Sequence, residues 1–219
     1  MSGHSAMTYK TRFQYLFDKA SDIADAARAS SPHGIRLPPL FFVTDPARIH
    51  HPEDIAPHLP AGCGIIYRHF GEPHAHERAM LLRRISRDHG LTLLIGEDDA
   101  LAAEVEADGV HLREQNLGRA GVVARDGWIV TAACHGPEAL TRADAQAGLT
   151  AVFISPAFAS TSPSAQGVAP LGAKGVKALA EASSLPVFAL GGITCDTVEQ
   201  LHDCGLSGVA AVDAFKLQD

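Results

Sequence analysis

The chain has 219 residues, of which 46% are hydrophobic and 20% charged, and its formal net charge is −7. This composition is that of an ordinary globular protein, and the length suits a single large core. The acidic balance without a basic patch argues against a nucleic-acid partner, and no apolar run is long enough to cross a membrane. The four cysteines are widely spaced and residues 1–6 lack an apolar signal core, so we expect a cytoplasmic protein.

Residues 1–36 are predicted to form an N-terminal extension that contains one amphipathic helix. Apolar side chains recur at helical spacing from Phe13 to Ala27, which gives the helix one apolar face that needs a packing partner. The sequence Ser-Pro-His-Gly at residues 31–34 is typical of a helix end. The predicted second domain, residues 37–219, begins where a different pattern starts.

From residue 37 onward, short apolar runs alternate with longer helical patterns. The runs predicted as strands are Leu40–Thr44, Gly64–Arg68, Leu91–Ile95, Gly109–Leu112, Trp128–Ala132, Ala151–Ser155, Val187–Leu190 and Val209–Val212. Helices are predicted near residues 53–58, 74–89, 98–107, 117–124, 136–147, 172–183 and 195–204. Such alternation indicates parallel βα units, and the uniform spacing predicts an α/β protein with a closed (β/α)8 TIM barrel. An open doubly wound sheet is the alternative, but no G-x-G-x-x-G follows the first strand.

The sequence leaves little room for an eighth helix. Seven residues follow Val212, the last residue of the predicted eighth strand, so we expect this helix to be missing or vestigial. We predict that the N-terminal amphipathic helix, at about residues 9–29, covers the face of the barrel that the eighth helix leaves bare.

The pair Gly191-Gly192 follows the predicted seventh strand and is the most informative feature for function. Consecutive glycines let the backbone approach a ligand closely, and the helix that follows directs free N–H groups at it. In (β/α)8 barrels the loops after strands seven and eight commonly hold a phosphate. Gly191 and Gly192 are therefore predicted to bind a phosphate group, with a simple tight turn as the alternative.

Several short motifs at the predicted strand ends resemble the thiamine-phosphate synthase/TenI superfamily. They are D-G-V-H-L at residues 108–112, A-C-H at 133–135, S-P-A-F-A-S-T-S at 155–162 and A-L-G-G-I at 189–193. Their order, rather than any single motif, carries the resemblance, which covers about residues 37–215. It implies a thiamine-biosynthesis protein whose partner is a small phosphorylated thiazole. Synthases of this superfamily join a pyrimidine diphosphate to a thiazole phosphate with magnesium, whereas TenI proteins move a proton on the thiazole.

Compared with the synthases, this sequence lacks cations that bind the pyrimidine diphosphate. The synthase motif Q-x-R-x-K at the second strand reads Ile66, Arg68 and Phe70, so only the arginine is retained. The lysine of the motif T-x-T-K is replaced by Pro163. Aliphatic and aromatic side chains cannot offset the charge of a diphosphate. The resemblance therefore implies a degenerate synthase site in which Arg68 is a remaining anion-binding candidate.

Three residues correspond to the magnesium-binding region of the synthases, and they are weaker candidates. Glu97 stands where the synthases have Asn-Asp, Asn116 replaces their second acidic ligand, and Glu114 replaces a glutamine. Carboxylate and amide oxygens suit a hard cation, so the sequence leaves a magnesium cofactor open. Glu97 is also one of two glutamates predicted to pair with Arg68, the other being Glu72.

The remaining candidates follow the fourth, fifth, sixth and eighth strands. His135 retains the family histidine after strand five and is the predicted catalytic residue, because a histidine near pH 7 suits a proton transfer. Ser160 and Ser162 keep the hydroxyl positions of T-x-T-K. Asp213 stands in the phosphate loop where the family has serine, and its carboxylate repels a phosphate unless it is protonated or paired. His111 is predicted to be a hydrogen-bonded core histidine.

The sequence thus predicts a thiamine-biosynthesis protein that binds a thiazole phosphate, with TenI-like proton transfer favoured over the full synthase reaction. The alternative is an inactive barrel that binds a ligand or a protein, so the sequence leaves enzymatic activity open. Another phosphate-binding barrel enzyme fits the glycine pair equally well but the other motifs less well. A homo-oligomer also remains open, because no pattern identifies an interface.

Overall fold

The computed structural model of this protein describes residues 7–30, 37–160 and 167–217. Its sheet is a closed parallel barrel with the strands in chain order, and β8 pairs with β1. The strands are β1 (Leu40–Val43), β2 (Gly64–Tyr67), β3 (Thr92–Gly96), β4 (Gly109–Leu112), β5 (Ile129–Cys134), β6 (Ala151–Ile154), β7 (Val187–Leu190) and β8 (Gly208–Ala211). The predicted (β/α)8 TIM barrel is therefore confirmed, with strand ends within one or two residues of the predicted bounds.

Helices connect most strands of the described chain. The α-helices are α1 (Tyr9–Ser30), α2 (Pro52–Ile55), α3 (Ala75–His89), α4 (Asp99–Glu104), α5 (Ala120–Val123), α6 (Pro137–Asp144) and α7 (Gly172–Ala182). The helix predicted at residues 195–204 is only a 3-10 helix, Val198–Leu201. The Thr197 hydroxyl accepts a hydrogen bond from the Thr194 N–H and donates one to the Gly192 carbonyl. Such bonds favour a turn over a helix start, which shortens this helix.

Aromatic side chains fill the interior of the barrel. The rings of Phe153 and Phe188 stack with centres 4.8 Å apart, and Phe41 meets both rings edge-on. A Cβ atom at Gly64 would lie 2.2 Å from the Phe41 ring, so this position must be glycine to admit the phenylalanine. Large aromatic rings, one of them packed against a glycine, therefore fill the barrel as a solid core.

Helix α1 packs on the barrel beside β8 and β1. Its buried side chains include Phe13, Leu16 and Ile23, and the Phe13 ring lies 5.0 Å from that of Phe215, edge to face. After β8 the described chain forms only the short 3-10 helix Asp213–Phe215. The predicted vestigial eighth helix and its replacement by the N-terminal helix are both confirmed.

The predicted domain boundary after residue 36 adjoins residues 31–36, which lie outside the described residues, and it stays a prediction. Across the described ranges, no helix combines the length and the apolar character needed to span a membrane.

Candidate functional site

The predicted site residues lie at the carboxyl ends of the strands. Arg68 follows β2, Glu97 follows β3, His135 follows β5, Gly191 follows β7 and Asp213 follows β8. Because all strands are parallel, these ends form one rim, which is where (β/α)8 barrels bind their ligands. The rim divides into two regions with different chemistry.

The first region is a cavity of about 350 Å³ at the ends of β6, β7 and β8. Ser160, Gly191, Gly192 and Asp213 all line it, so the structure brings these predicted phosphate-site residues together. Arg48, from the loop after β1, lies in the same wall. Ser162 lies outside the described residues, and its predicted role stays untested.

The two glycines line this cavity with a backbone that only glycine adopts easily. Gly191 and Gly192 have φ angles of +96° and +66°, and a Cβ atom at Gly192 would lie 2.5 Å from the Ala159 carbonyl oxygen. Their carbonyls accept hydrogen bonds from the Phe158 N–H and the Thr197 hydroxyl. In contrast, neither glycine N–H donates a hydrogen bond to any residue that the structure describes. Amides left free in this way can bind an anion.

Two cations form ion pairs with the Asp213 carboxylate. Its Oδ2 lies 2.9 Å from Arg48 Nη1, and its Oδ1 lies 2.9 Å from Lys216 Nζ. Burial alone would raise the pKa of Asp213, but the adjacent cations Lys216 and Arg48 lower it below the ordinary value. The Asp213 carboxylate is therefore ionised but paired with two cations. This pairing reduces the repulsion that the sequence predicts between Asp213 and a phosphate.

Glu97 lies in the second region, at the ends of β2, β3 and β4, and both its carboxylate oxygens are occupied. One oxygen accepts a hydrogen bond from the Arg113 N–H and the other from the Asn116 side-chain amide. The Arg119 guanidinium also lies 4.0 Å from this carboxylate. Glu97 and Asn116 are thus close together, as predicted, but they bind each other.

Glu114 anchors the predicted catalytic histidine. Its Oε2 accepts hydrogen bonds from the His135 N–H at 2.9 Å and from His135 Nδ1 at 2.8 Å, and its Oε1 lies 2.6 Å from Arg142 Nη2. Burial would raise the pKa of Glu114, but the hydrogen bonds from His135 and Arg142 lower it. Glu114 is therefore ionised and accepts a proton-bearing Nδ1, which leaves His135 Nε2 for acid–base exchange.

These donors do not fit a magnesium ion. Mg²⁺ requires carboxylate oxygens that are free to enter an octahedral shell, whereas those of Glu97 and Glu114 already accept hydrogen bonds from the protein. Among the described residues, no three His, Cys, Asp or Glu side chains are grouped to hold a metal.

Arg68 does not have the partner that the sequence predicts. Its nearest carboxylate oxygen is Asp45 Oδ2, at 3.7 Å, and its Nε donates to the Thr44 carbonyl at 2.7 Å. The predicted pairing with Glu72 or Glu97 is wrong, because Glu72 binds Tyr67 and Arg78 instead, and Glu97 is occupied as described above.

His111 is a core histidine, as predicted. It is buried, and its Nδ1 lies 2.9 Å from the Thr131 hydroxyl. Burial lowers its pKa to about 3, so the ring is neutral at physiological pH.

Sequence reasoning missed Arg48 and Arg113. No motif in the sequence around Arg48 marks it as a site residue. It reaches the cavity only because of the way the loop after β1 folds. Arg113 did carry a signal, since it directly follows D-G-V-H-L where the family pattern has glycine. An arginine at a glycine position of a strand end adds a charge to the rim.

Comparison with known proteins agrees with this architecture. A thiamine-phosphate synthase of Herpetosiphon aurantiacus is 30% identical over 190 residues, covering 80% of this chain and 87% of the relative. A protein of Aquifex aeolicus whose name provisionally assigns it as a second thiamine-phosphate synthase is 31% identical over 189 residues, covering 83% and 99%. A thiamine phosphate pyrophosphorylase of Pyrococcus furiosus has the same fold, with a TM-score of 0.66, 21% identity and coverage of 79% and 84%. Residues 40–215 match the family described as thiamine monophosphate synthase, and the chain therefore belongs to this family.

Proposed function

We propose that this protein binds a thiazole phosphate in the 350 Å³ cavity and moves a proton on it, as TenI proteins do. The observation that carries this proposal is a contrast between the two regions of the rim. At the cavity, the amides of Gly191 and Gly192 donate to no residue that the structure describes, whereas the carboxylates at the magnesium position are engaged with the protein itself.

The phosphate group is proposed to bind between the glycine amides and Arg48. Hydrogen bonds to a charged group typically contribute about 1.5–3 kcal/mol each. The opposing charge in this cavity is Asp213, which Arg48 and Lys216 already pair. The cavity wall also contains Leu190, Ile193 and other apolar residues, which suit the ring of a heterocyclic ligand.

The proton is proposed to move through His135. Glu114 orients the imidazole through Nδ1, so Nε2 can take a proton from the substrate and return it at another atom. Arg142 holds the opposite oxygen of Glu114 and keeps that carboxylate ionised.

The full synthase reaction is disfavoured by the same contacts. Displacement of a diphosphate needs cations that neutralise the leaving group, and this chain has Phe70 and Pro163 in place of two family lysines. Glu97 and Glu114 would have to break their internal hydrogen bonds to hold a metal.

A binding protein without turnover is the second candidate. One observation supports this candidate. His135 is not among the described residues that line the 350 Å³ cavity. Proton transfer then requires the ligand to extend from the cavity toward β5.

The two candidates are separated by a His135→Asn variant. The protein is titrated with thiazole phosphate by calorimetry, and exchange of the ligand's protons in D₂O is followed by NMR. We expect His135→Asn to retain binding but to lose exchange by at least about 100-fold, the usual contribution of a general acid–base residue. His202→Asn, which changes an exposed histidine on another surface, is the control.

Three results would contradict the proposal. Absence of thiazole phosphate binding removes it altogether, and equal exchange in the wild type and His135→Asn removes the catalytic role. Rapid formation of thiamine phosphate from the pyrimidine diphosphate, magnesium and thiazole phosphate would show that the synthase reaction is retained.

A further inference from the structure

The outer face of helix α3 exposes two adjacent apolar side chains. Met80 is 49% exposed and Leu81 is 42% exposed. Among the described residues, they are the only exposed large hydrophobic side chains that share a helix. Single apolar residues are normal on a protein surface, but neighbouring ones mark a surface that a partner can cover. Helix α3 is therefore a candidate contact surface.

Two opposite charges flank this apolar pair along the helix. Glu77 lies one turn before Leu81, and Arg84 lies one turn after Met80. Because residues three and four positions apart share a helix face, these four residues form one continuous stripe, called the outer stripe below. The buried residues of α3 lie on the opposite side of the helix, and they are Ala79, Leu82 and Ser86. The outer stripe therefore presents its two charges and its apolar centre together.

Neither charge of the outer stripe has a strong partner within its own chain. Glu77 is exposed and forms no ion pair with any residue that the structure describes. The Arg84 side chain is 80% exposed, and its Nε lies 3.9 Å from Asp88 Oδ2. An exposed ion pair at this distance contributes little to stability. Both Glu77 and Arg84 are therefore available to pair with another molecule.

The order of charges along the outer stripe is complementary to a second copy of itself. A two-fold axis between Met80 and Leu81, perpendicular to α3, makes the two helices antiparallel. Glu77 of one chain then lies opposite Arg84 of the other, and Met80 lies opposite Leu81. A parallel arrangement would place like charges opposite each other, and a partner of uniform charge would be repelled by one end of the stripe. The charge pattern therefore favours an antiparallel pair of identical chains.

A groove beside the outer stripe gives the second copy a place to pack. The groove lies between α3 and α4, has a volume of about 330 Å³, and is lined in part by Met80, Arg84 and Val105. In the antiparallel arrangement Leu81 of the other chain lies opposite Met80, where its side chain can enter this groove. The contact then has an apolar centre with charged residues at its edge, which is the usual anatomy of a protein interface.

We propose that the outer stripe of α3 is the contact surface of a two-fold homodimer. The 15 residues of α3 give a helix about 22 Å long. One pair of such helices buries less than the roughly 1,200 Å² of a stable interface, so we expect a weak dimer with a Kd of about 100 µM. Helix α3 covers the outside of the barrel, whereas the 350 Å³ cavity opens at the strand ends. The inference therefore does not rest on the proposed function.

Sedimentation equilibrium of the full chain, from about 5 to 500 µM, tests the proposal. Glu77→Arg and Arg84→Glu should each be monomeric, because each places two pairs of like charges across the two-fold axis. An equimolar mixture of these two variants should associate again, because opposite charges then face each other at both ends. Leu81→Asp should also be monomeric, since it places a charge in the apolar centre. The control is Glu181→Arg, the same charge change on exposed α7, which should associate like the wild type.

Three results would overturn the inference. The first is a wild type that stays monomeric up to about 1 mM, ten times the expected Kd. The second is association that Glu77→Arg and Leu81→Asp leave unchanged, because the contact then lies elsewhere on the molecule. The third is a mixture of Glu77→Arg and Arg84→Glu that remains monomeric. Circular dichroism checks that each variant is folded, and the mixture tests the pairing even if one variant is less stable.

Discussion

Helix α1 should contribute to global stability as a core element, and Phe13→Ala is the change that measures this contribution. Phe13 is fully buried, and its ring meets that of Phe215 at 5.0 Å. Replacing a buried phenylalanine with alanine costs about 3–5 kcal/mol, through lost burial and the cavity that remains. Because small proteins are stable by only about 5–15 kcal/mol in total, this loss is a large part of the free energy of unfolding.

Urea unfolding, followed by far-UV circular dichroism, measures that loss. Phe13→Leu keeps most of the apolar volume and should cost only about 1 kcal/mol, which makes it the matched control. A double-mutant cycle with Phe215→Ala should give a coupling of about 0.5–1.5 kcal/mol for the edge-to-face pair. A loss below about 1 kcal/mol for Phe13→Ala, as at surface positions, would refute the packing of α1 on the barrel.

Two further predictions concern charged groups at the rim. Asp213→Asn should tighten binding of inorganic phosphate about fivefold, or ~1 kcal/mol, because Asp213 is the only acidic residue among the described residues that line the cavity; calorimetry showing unchanged or weaker binding would contradict this. His111 should remain neutral in an NMR titration from pH 8 to about 5, because burial lowers its pKa to about 3. Since the unfolded chain binds that proton near pH 6.5, stability should fall as the pH drops below this value. The fall should be smaller in His111→Gln, and a wild-type His111 ring that titrates near pH 6.5 would refute the assignment.

The sequence was sufficient to predict the barrel, because each strand is a short apolar run and each βα unit repeats the same local pattern. It also predicted the candidate residues at strand ends, since parallel strands place these ends on one rim. It could not predict which carboxylate Arg68 faces. That choice depends on distances between loops, and the loop after β1 brings Asp45 to Arg68 while Glu72 turns to Arg78.

The same limit explains why the sequence alone leaves Glu97 and Glu114 as candidate magnesium ligands. Residue type permits Glu97, Glu114 and Asn116 to bind a metal, but only the three-dimensional arrangement shows that Glu97 accepts hydrogen bonds from Asn116 and Arg113. Whether a carboxylate oxygen is free to bind a metal depends on the groups that surround it in space. The two groups that donate to Glu97 lie 16 and 19 residues further along the chain.

The N-terminal helix also holds the loop after β8, which lines the proposed phosphate cavity. Arg12 of α1 donates hydrogen bonds to the carbonyls of Ala214 and Lys216, on the loop that carries Asp213. At the proposed phosphate site the positive charge comes from Arg48 and Lys216, and α1 holds the backbone that carries Lys216. Arg12→Ala, which removes these hydrogen bonds but keeps the apolar face of α1, should therefore weaken the binding of inorganic phosphate in calorimetry even though, among the described residues, no side chain of α1 lines the cavity. Unchanged affinity would contradict this role of Arg12.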